Sequence, residues 1–313
     1  MRRILVAGEL NADLIMSGLP SLPILGQELI GTGFQIVLGG SSAITAARLA
    51  ALGAPVDFVG QIGSDDLGRF VLRELGGFGV GTQLIRILPD TSTDVTIALT
   101  YEHDRAFITY SGLMSTFDGA TITPALLAGY DHLHVGAFFL QPVLQPALPY
   151  LFRLAHEAGL TTSLDTGWDP QEQWMQNAHL APTLRETDYF FPNETEAAAL
   201  GGETKDFSAL AGMVGGTLIV KRGANGALAI PARGDREPVQ VAAVPVEVVD
   251  TTGAGDAFNA GFIYATVVKR AVLPDALRFA AACGAQAVTQ VGGATNAPTA
   301  EAISTHYLKP STI

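Results

Sequence analysis

The stretch Val249-Asp250-Thr251-Thr252-Gly253-Ala254-Gly255-Asp256-Ala257-Phe258-Asn259-Ala260-Gly261-Phe262 constrains the chain more than any other. Ahead of it, Val244, Val246, Val248 and Val249 read as a buried strand. Behind it, Ala257, Gly261, Ala265 and Val268 recur at helical spacing. The chain must therefore pass from strand to helix through a turn of glycine and alanine. Such a turn leaves the first amides of the helix without intrahelical partners and with almost no side chain to cover them. Bare amides at the positive end of a helix dipole suit an anion, above all a phosphate group. Asp256 would repel that anion unless it has a proton to take, which is the task of a general base. The alternative is purely local: Asp at a helix start is a favoured cap, and Gly-x-Gly is common wherever a helix packs closely on a sheet.

The rest of the chain alternates short apolar runs with helical stretches, the pattern of an α/β fold whose parallel strands are covered on both faces. Ile4–Gly8, Val56–Gly60, Leu160–Leu164 and Asp188–Phe191 read as buried strands, and Ala43–Leu52, Leu148–Ala158 and Asp275–Thr289 as helices. Asn11 and Asp13 lie just past the first strand, where open α/β sheets take ligands. Asp165 falls at another strand end, toward the phosphate and metal region. Gly39-Gly40 opens an alanine-rich helix and again places bare backbone beside a ligand. Ile30–Val37 carries a weak β pattern, and alternation from Thr93 to Tyr110 predicts a hairpin turning at Glu102-His103-Asp104-Arg105. Asn193 and Glu196 have the spacing of a capping box. His132 and His134 share a strand face, but no Cys, Asp or Glu follows at ligand spacing, so a hydrogen-bonded pair is preferred to a metal site.

Length and charge narrow the function. A chain of 313 residues with 48% apolar content fills one large α/β domain or two ordinary ones. A net charge of −12 with only 18 Lys and Arg speaks against nucleic-acid and anionic-membrane partners. One cysteine, Cys283, excludes an internal disulfide and reads as a small buried residue. The opening Met1-Arg2-Arg3 imitates a signal peptide, but Glu9, Asn11 and Asp13 interrupt the apolar run. No run reaches the roughly 18 residues a bilayer span needs, and the expected location is the cytoplasm. Neither a Gly-x-Gly-x-x-Gly fingerprint nor a P-loop follows any candidate strand.

The run Asp-Thr-Thr-Gly-Ala-Gly-Asp-Ala-Phe-Asn-Ala-Gly-Phe resembles the C-terminal signature of the ribokinase-like (PfkB) family of carbohydrate and nucleoside kinases. The resemblance extends from Gly8 to Asn296. It implies a three-layer α/β sandwich in a single domain, residues 1–313. The central sheet would be mostly parallel, and a small lid sheet would be drawn from about 14–38 and 93–112. It implies ATP and Mg²⁺ as cofactors and a sugar or polyol hydroxymethyl group as acceptor. Asp256 would be the base, and the amides of Gly253, Ala254 and Gly255 would hold the transferring phosphoryl charge. Asn11, Asp13, Gly39 and Gly40 would bind the acceptor. Asn193, Lys221, Gly223, Gly226, Gly253 and Gly255 would bind the nucleotide, with Lys221 standing where a threonine is frequent. Glu196 would hold Mg²⁺ through water. Asp250 and Thr252 would serve a monovalent cation such as K⁺. The apolar outer face of the lid would make a homodimer. Ile44 stands where the family has an acceptor-binding asparagine, which leaves the acceptor open. With Phe138 and Phe139 near the pocket, a nucleoside kinase is the first alternative, and a catalytically silent sensor is the second.

Overall fold

The computed structural model describes residues 2–101, 105–202, 206–232 and 237–308. The strands, in chain order, are β1 (Ile4–Ala7), β2 (Asn11–Ser17), β3 (Gly33–Gly39), β4 (Val56–Gly63), β5 (Ile85–Leu88), β6 (Val95–Thr100), β7 (Arg105–Tyr110), β8 (His132–Val135), β9 (Thr161–Leu164), β10 (Tyr189–Phe190), β11 (Thr217–Lys221), β12 (Ala227–Pro231) and β13 (Val239–Val241). The helices are α1 (Ser41–Ala51), α2 (Asp66–Phe78), α3 (Pro124–Leu127), α4 (Leu148–Glu157), α5 (Leu180–Arg185), α6 (Glu194–Gly201), α7 (Ser208–Ala211), α8 (Ala254–Ile263), α9 (Leu273–Ala287) and α10 (Ala300–Tyr307). Nine strands form the central sheet in the order β13-β12-β11-β10-β9-β8-β1-β4-β5. It is parallel from β5 to β11, and β12 and β13 add an antiparallel edge.

Alternation along the strands explains why both faces are covered. On β1, Ile4 and Val6 enter the core that holds Phe58, Phe191 and Phe262, while Leu5 and Ala7 enter the one that holds Leu133, Phe152 and Phe190. The helix layers follow from this: α1, α8 and α9 cover the first face, and α4 covers the second. None of the described helices is long and apolar enough to cross a membrane.

A separate four-stranded sheet, ordered β3-β2-β6-β7, stands off the main body. β2 pairs antiparallel with β3 and parallel with β6, and β6 and β7 form the expected hairpin, whose turn residues 102–104 and the Arg105 side chain lie outside the description. One face carries the row Ile36, Leu14, Ile97, Ile108 across all four strands; the other carries Val37, Asp13, Thr96, Thr109.

Two expectations are corrected. Residues 242–250 form no strand, and Val248 and Val249 are 59% and 58% exposed. The sheet ends at Val241, and Pro245, which lacks an amide proton for a ladder, interrupts the run. The valine alternation lines a cavity wall instead. Phe138 and Phe139 do not line that cavity: they form a short 3₁₀ turn packed into the second core, with Gln141 fully buried beside them.

Candidate active site

Gly253 caps α8 in the left-handed region, φ 69°, and a Cβ there would run into the backbone of Gly293. Both constraints call for glycine. The Ala254 amide bends back to the Thr251 carbonyl over a long 3.3 Å bond. Ala254, Gly255 and Asp256 then face a cavity of about 760 Å³. Half-buried at its wall, Asp256 accepts a 2.6 Å hydrogen bond at Oδ1 from Ser41 Oγ, the first residue of α1. Burial, reinforced by repulsion from Asp165, pushes the Asp256 carboxyl up to about 6, against the pull of Ser41, Lys221 and Arg48. A carboxylate so tuned accepts a proton readily near neutral pH.

Across the cavity, Lys221 at the end of β11 pairs with Asp165, just past β9, at 2.6 Å. Asn259, one turn beyond Asp256 on α8, donates to the same Asp165 oxygen at 2.6 Å, and the Gly167 amide donates to the other at 3.0 Å. These bonds and the ammonium hold Asp165 below the usual carboxylate range despite its burial. Asp165, Glu196 and Asp256 raise Lys221 in turn, overcoming its own burial. A Cβ on Gly255 would lie 3.1 Å from Lys221 Nζ, so the ammonium hangs over the start of α8.

Asn193 and Glu196 make both bonds of a capping box, Glu196 N to Asn193 Oδ1 at 2.9 Å and Asn193 N to Glu196 Oε2 at 2.8 Å, and both also line the cavity. Burial, then repulsion from Asp165, raises Glu196 to about 7. Three carboxyl groups and one ammonium thus share the cavity, an oxygen-rich, net-anionic set that fits a hard cation. Among the described residues no three His, Cys, Asp or Glu lie close enough to hold a metal directly. Gly223 and Gly226 border the same cavity, which turns apolar at Val244, Pro245, Val246, Ala281 and Val288.

The smaller sheet supplies a second polar group. Asn11 Nδ2 donates to Asp13 Oδ1 at 2.8 Å and to Thr96 Oγ1 at 3.3 Å, and Thr96 meets Thr109 at 3.1 Å. Gly39 and Gly40 adjoin them, since a Cβ on Gly39 would strike the Asp13 carboxylate and one on Gly40 would lie 2.8 Å from Asn11 Oδ1. Asn11, Asp13, Gly39 and Gly40 do not themselves line the 760 Å³ cavity; Ser41, which follows Gly40, does and is the link. Asp250, Thr252 and Gly253 also stand behind its wall, with Thr251 facing it. Asp250 Oδ1 accepts from Thr252 N and Oγ1 at 2.9 and 2.8 Å, and Oδ2 accepts from the Gly292 amide at 3.0 Å. His132 and His134 share Ser163 at 2.8 and 2.7 Å and are lowered to about 3 and 4, chiefly by burial.

Sequence reasoning missed Ser41, Asn259 and Thr96. The first two carried a signal: Ser41 opens the helix after Gly39-Gly40, and Asn259 lies three residues after Asp256, on the same helix face. Thr96 carried none, because its role depends on strand pairing.

The model of the pfkB family of carbohydrate kinases matches residues 1–300. Ribokinase of Bacillus subtilis is 30% identical over 302 residues, covering 96% of this chain and 97% of the relative. The ATP-dependent ribose-1-phosphate kinase of Halopiger xanaduensis is 31% identical over 311 residues, covering 97% of each. Among solved structures, an E. coli protein assigned as a ribokinase II, in complex with ATP and Mg²⁺, superimposes with a TM-score of 0.86 at 25% identity, covering 97% of this chain and 98% of that one.

Proposed function

Because the chain belongs to the PfkB family of carbohydrate kinases, we propose that it moves the γ-phosphoryl group of ATP to a hydroxymethyl group of a sugar or sugar derivative, with Asp256 as the base. The observation that carries this reading is the position of Asp256. It stands at the start of α8, on the wall of the cavity, already accepting a hydrogen bond from an alcohol, Ser41. An acceptor hydroxyl in that position would lose its proton to Asp256 as it attacks phosphorus in line. The amides of Ala254 and Gly255, with Lys221 above them, would hold the charge that spreads over the phosphoryl oxygens once Ala254 gives up its 3.3 Å bond to the Thr251 carbonyl, with Gly253 setting the turn behind them. The apolar half of the cavity suits the base of the nucleotide, and Gly223 and Gly226 let backbone approach it. Asn11, Asp13 and the Gly39-Gly40 backbone would orient the acceptor under the lid, with Thr96 and Thr109 as further partners for its hydroxyls.

Asn193 and Glu196 would hold Mg²⁺ through water; the ion, when bound with the nucleotide, neutralises phosphate charge. The E. coli structure in complex with ATP and Mg²⁺ supports the choice of nucleotide and ion. A monovalent cation near Asp250 and Thr252 would sit beside a carboxylate already oriented by Thr252 and Gly292. Comparing rates in K⁺ and Na⁺ tests that expectation.

The nucleoside reading drew on Ile44, Phe138 and Phe139, which are 3%, 0% and 7% exposed and face core rather than cavity. That does not separate the two readings, because Asn11 and Asp13 do not line the cavity either, and a nucleoside acceptor stays the alternative. The relatives' names suggest ribose and ribose 1-phosphate as the opening acceptors. ADP release measured across aldoses, ketoses, sugar phosphates, sugar acids and nucleosides is the test. Turnover with one sugar class well above the rest is expected, and no acceptor-dependent ADP anywhere in the panel would contradict the proposal.

A further inference from the structure

Arg48, in the last turn of α1, is only 4% exposed, and among the described residues no carboxylate lies within ion-pair reach of it. Its Nε donates to the Gly293 carbonyl at 2.9 Å and its Nη1 to Gln286 Oε1, on α9, at 2.6 Å; among the described residues Nη2 has no hydrogen-bond partner. Burying an uncompensated charge is costly, and a fold that only needed to fill this space would do better with an apolar side chain. Burial lowers the guanidinium to about 10, so it remains a cation at neutral pH. Cys283 beside it is no counter-ion, since burial pushes the thiol up to about 12.

What Arg48 touches gives its use. Gly293 is the residue whose backbone presses on Gly253, the cap of α8, and Ile44, one turn earlier on α1, packs beneath the same Gly293. Arg48 therefore ties α1, α9 and the 292–293 segment together immediately behind the phosphate-facing turn. The charged and titratable groups around Asp256 are Lys221, Asp165, Glu196, Glu9 and Arg48. Lys221 is paired with Asp165. Glu9 is held by Ser42 N and Ser42 Oγ, and Glu196 by Asn193 N, and among the described residues neither is paired with a cation. Arg48 is the cation among them that no ion pair offsets.

We infer that Arg48 is a positioning residue: it seats the 292–293 segment against Gly253 and holds a fixed positive charge behind Asp256. The inference rests on Asp256 being the base. Its test is the pH profile of kcat/KM, with ATP, Mg²⁺ and the best acceptor of the panel, for wild type, Arg48→Met, Arg48→Lys and Asp256→Asn, each checked for folding by thermal melting. Removing the cation raises the Asp256 pKa, so the acid limb of Arg48→Met moves to higher pH by roughly one unit, whereas Arg48→Lys keeps the limb near its wild-type position. If Arg48→Met does not fold, Arg48→Gln, polar but uncharged, carries the same expectation. A folded, uncharged variant with an unmoved acid limb overturns the inference alone, provided Asp256→Asn is inactive. Activity surviving in Asp256→Asn overturns the reading beneath it.

Discussion

Ser41 Oγ and Asp256 Oδ1 lie 2.6 Å apart, joining the first residue of α1 to the first turn of α8 across 215 positions of sequence. The bond engages one carboxylate oxygen at the place where the proposed function sets an acceptor hydroxyl. It also favours the ionised form, opposing the burial that raises the carboxyl to about 6. Ser41→Ala should therefore move the acid limb of kcat/KM upward and lower kcat about tenfold at pH 6, with a smaller loss at pH 8. A profile identical to wild type would remove Ser41 from the account.

Lys221 and Asp165 form a buried pair whose side chains are 13% and 6% exposed. Removing one member strands the other, so Lys221→Met should cost about 3–5 kcal/mol in stability, read from denaturant unfolding. Combining it with Asp165→Asn should cost less than the sum of the two single changes, because the stranded charge is gone. The same lysine hangs over the start of α8, so the KM for ATP should rise in Lys221→Met more than the KM for the acceptor.

Glu9, at the end of β1, is 2% exposed and accepts from Ser42 N at 2.9 Å and Ser42 Oγ at 2.6 Å, yet burial still lifts it to about 7. Its folded value lies above the unfolded one, so its contribution to stability is complete below the unfolded pKa and is lost as pH rises through 7. Glu9→Gln should then unfold at higher denaturant than wild type at pH 8.5, by roughly 1–3 kcal/mol relative to the difference at pH 5.5. A difference that does not change with pH would show that Glu9 is ionised throughout.

The outer face of the lid leaves Ile36, Ile97 and Ile108 at 42%, 37% and 58% exposure in one continuous row. A second copy of the chain is the occupant expected of such a face, since Leu14 in the same row packs against the first core while Ile36, Ile97 and Ile108 stay exposed. Sedimentation velocity should show a dimer in wild type and a monomer in Ile97→Lys/Ile108→Lys, with the KM for the acceptor raised in the variant. A wild-type monomer would leave the lid without this partner.

The strands and helices were largely legible, because a parallel sheet covered on both faces writes itself as short apolar runs between helical stripes. Ile4–Ala7 and Val56–Gly63 show this directly. The capping box of Asn193 and Glu196 was legible for the same local reason. Val244–Val249 misled because alternation reports which side chains are covered, not what covers them. Here Val244, Val246 and Val248 line an open cavity, and among the described residues no neighbouring strand covers them. The Asp165–Lys221–Asn259 group and the Arg48 ties were hidden, because each joins segments far apart in sequence. The lid strip of Asp13, Thr96 and Thr109 depended on register across three strands, which the pattern of a single strand does not fix.

The central claim is that Asp256 removes the acceptor proton. Asp256→Asn keeps the size and hydrogen-bonding shape of the side chain and deletes its basicity, so single-turnover phosphoryl transfer at pH 8, with ATP affinity measured in parallel by calorimetry, isolates that role. The account predicts a rate lower by about 10²–10⁴ with ATP affinity within a few-fold of wild type. Transfer at a rate within a few-fold of wild type in the folded variant would contradict it.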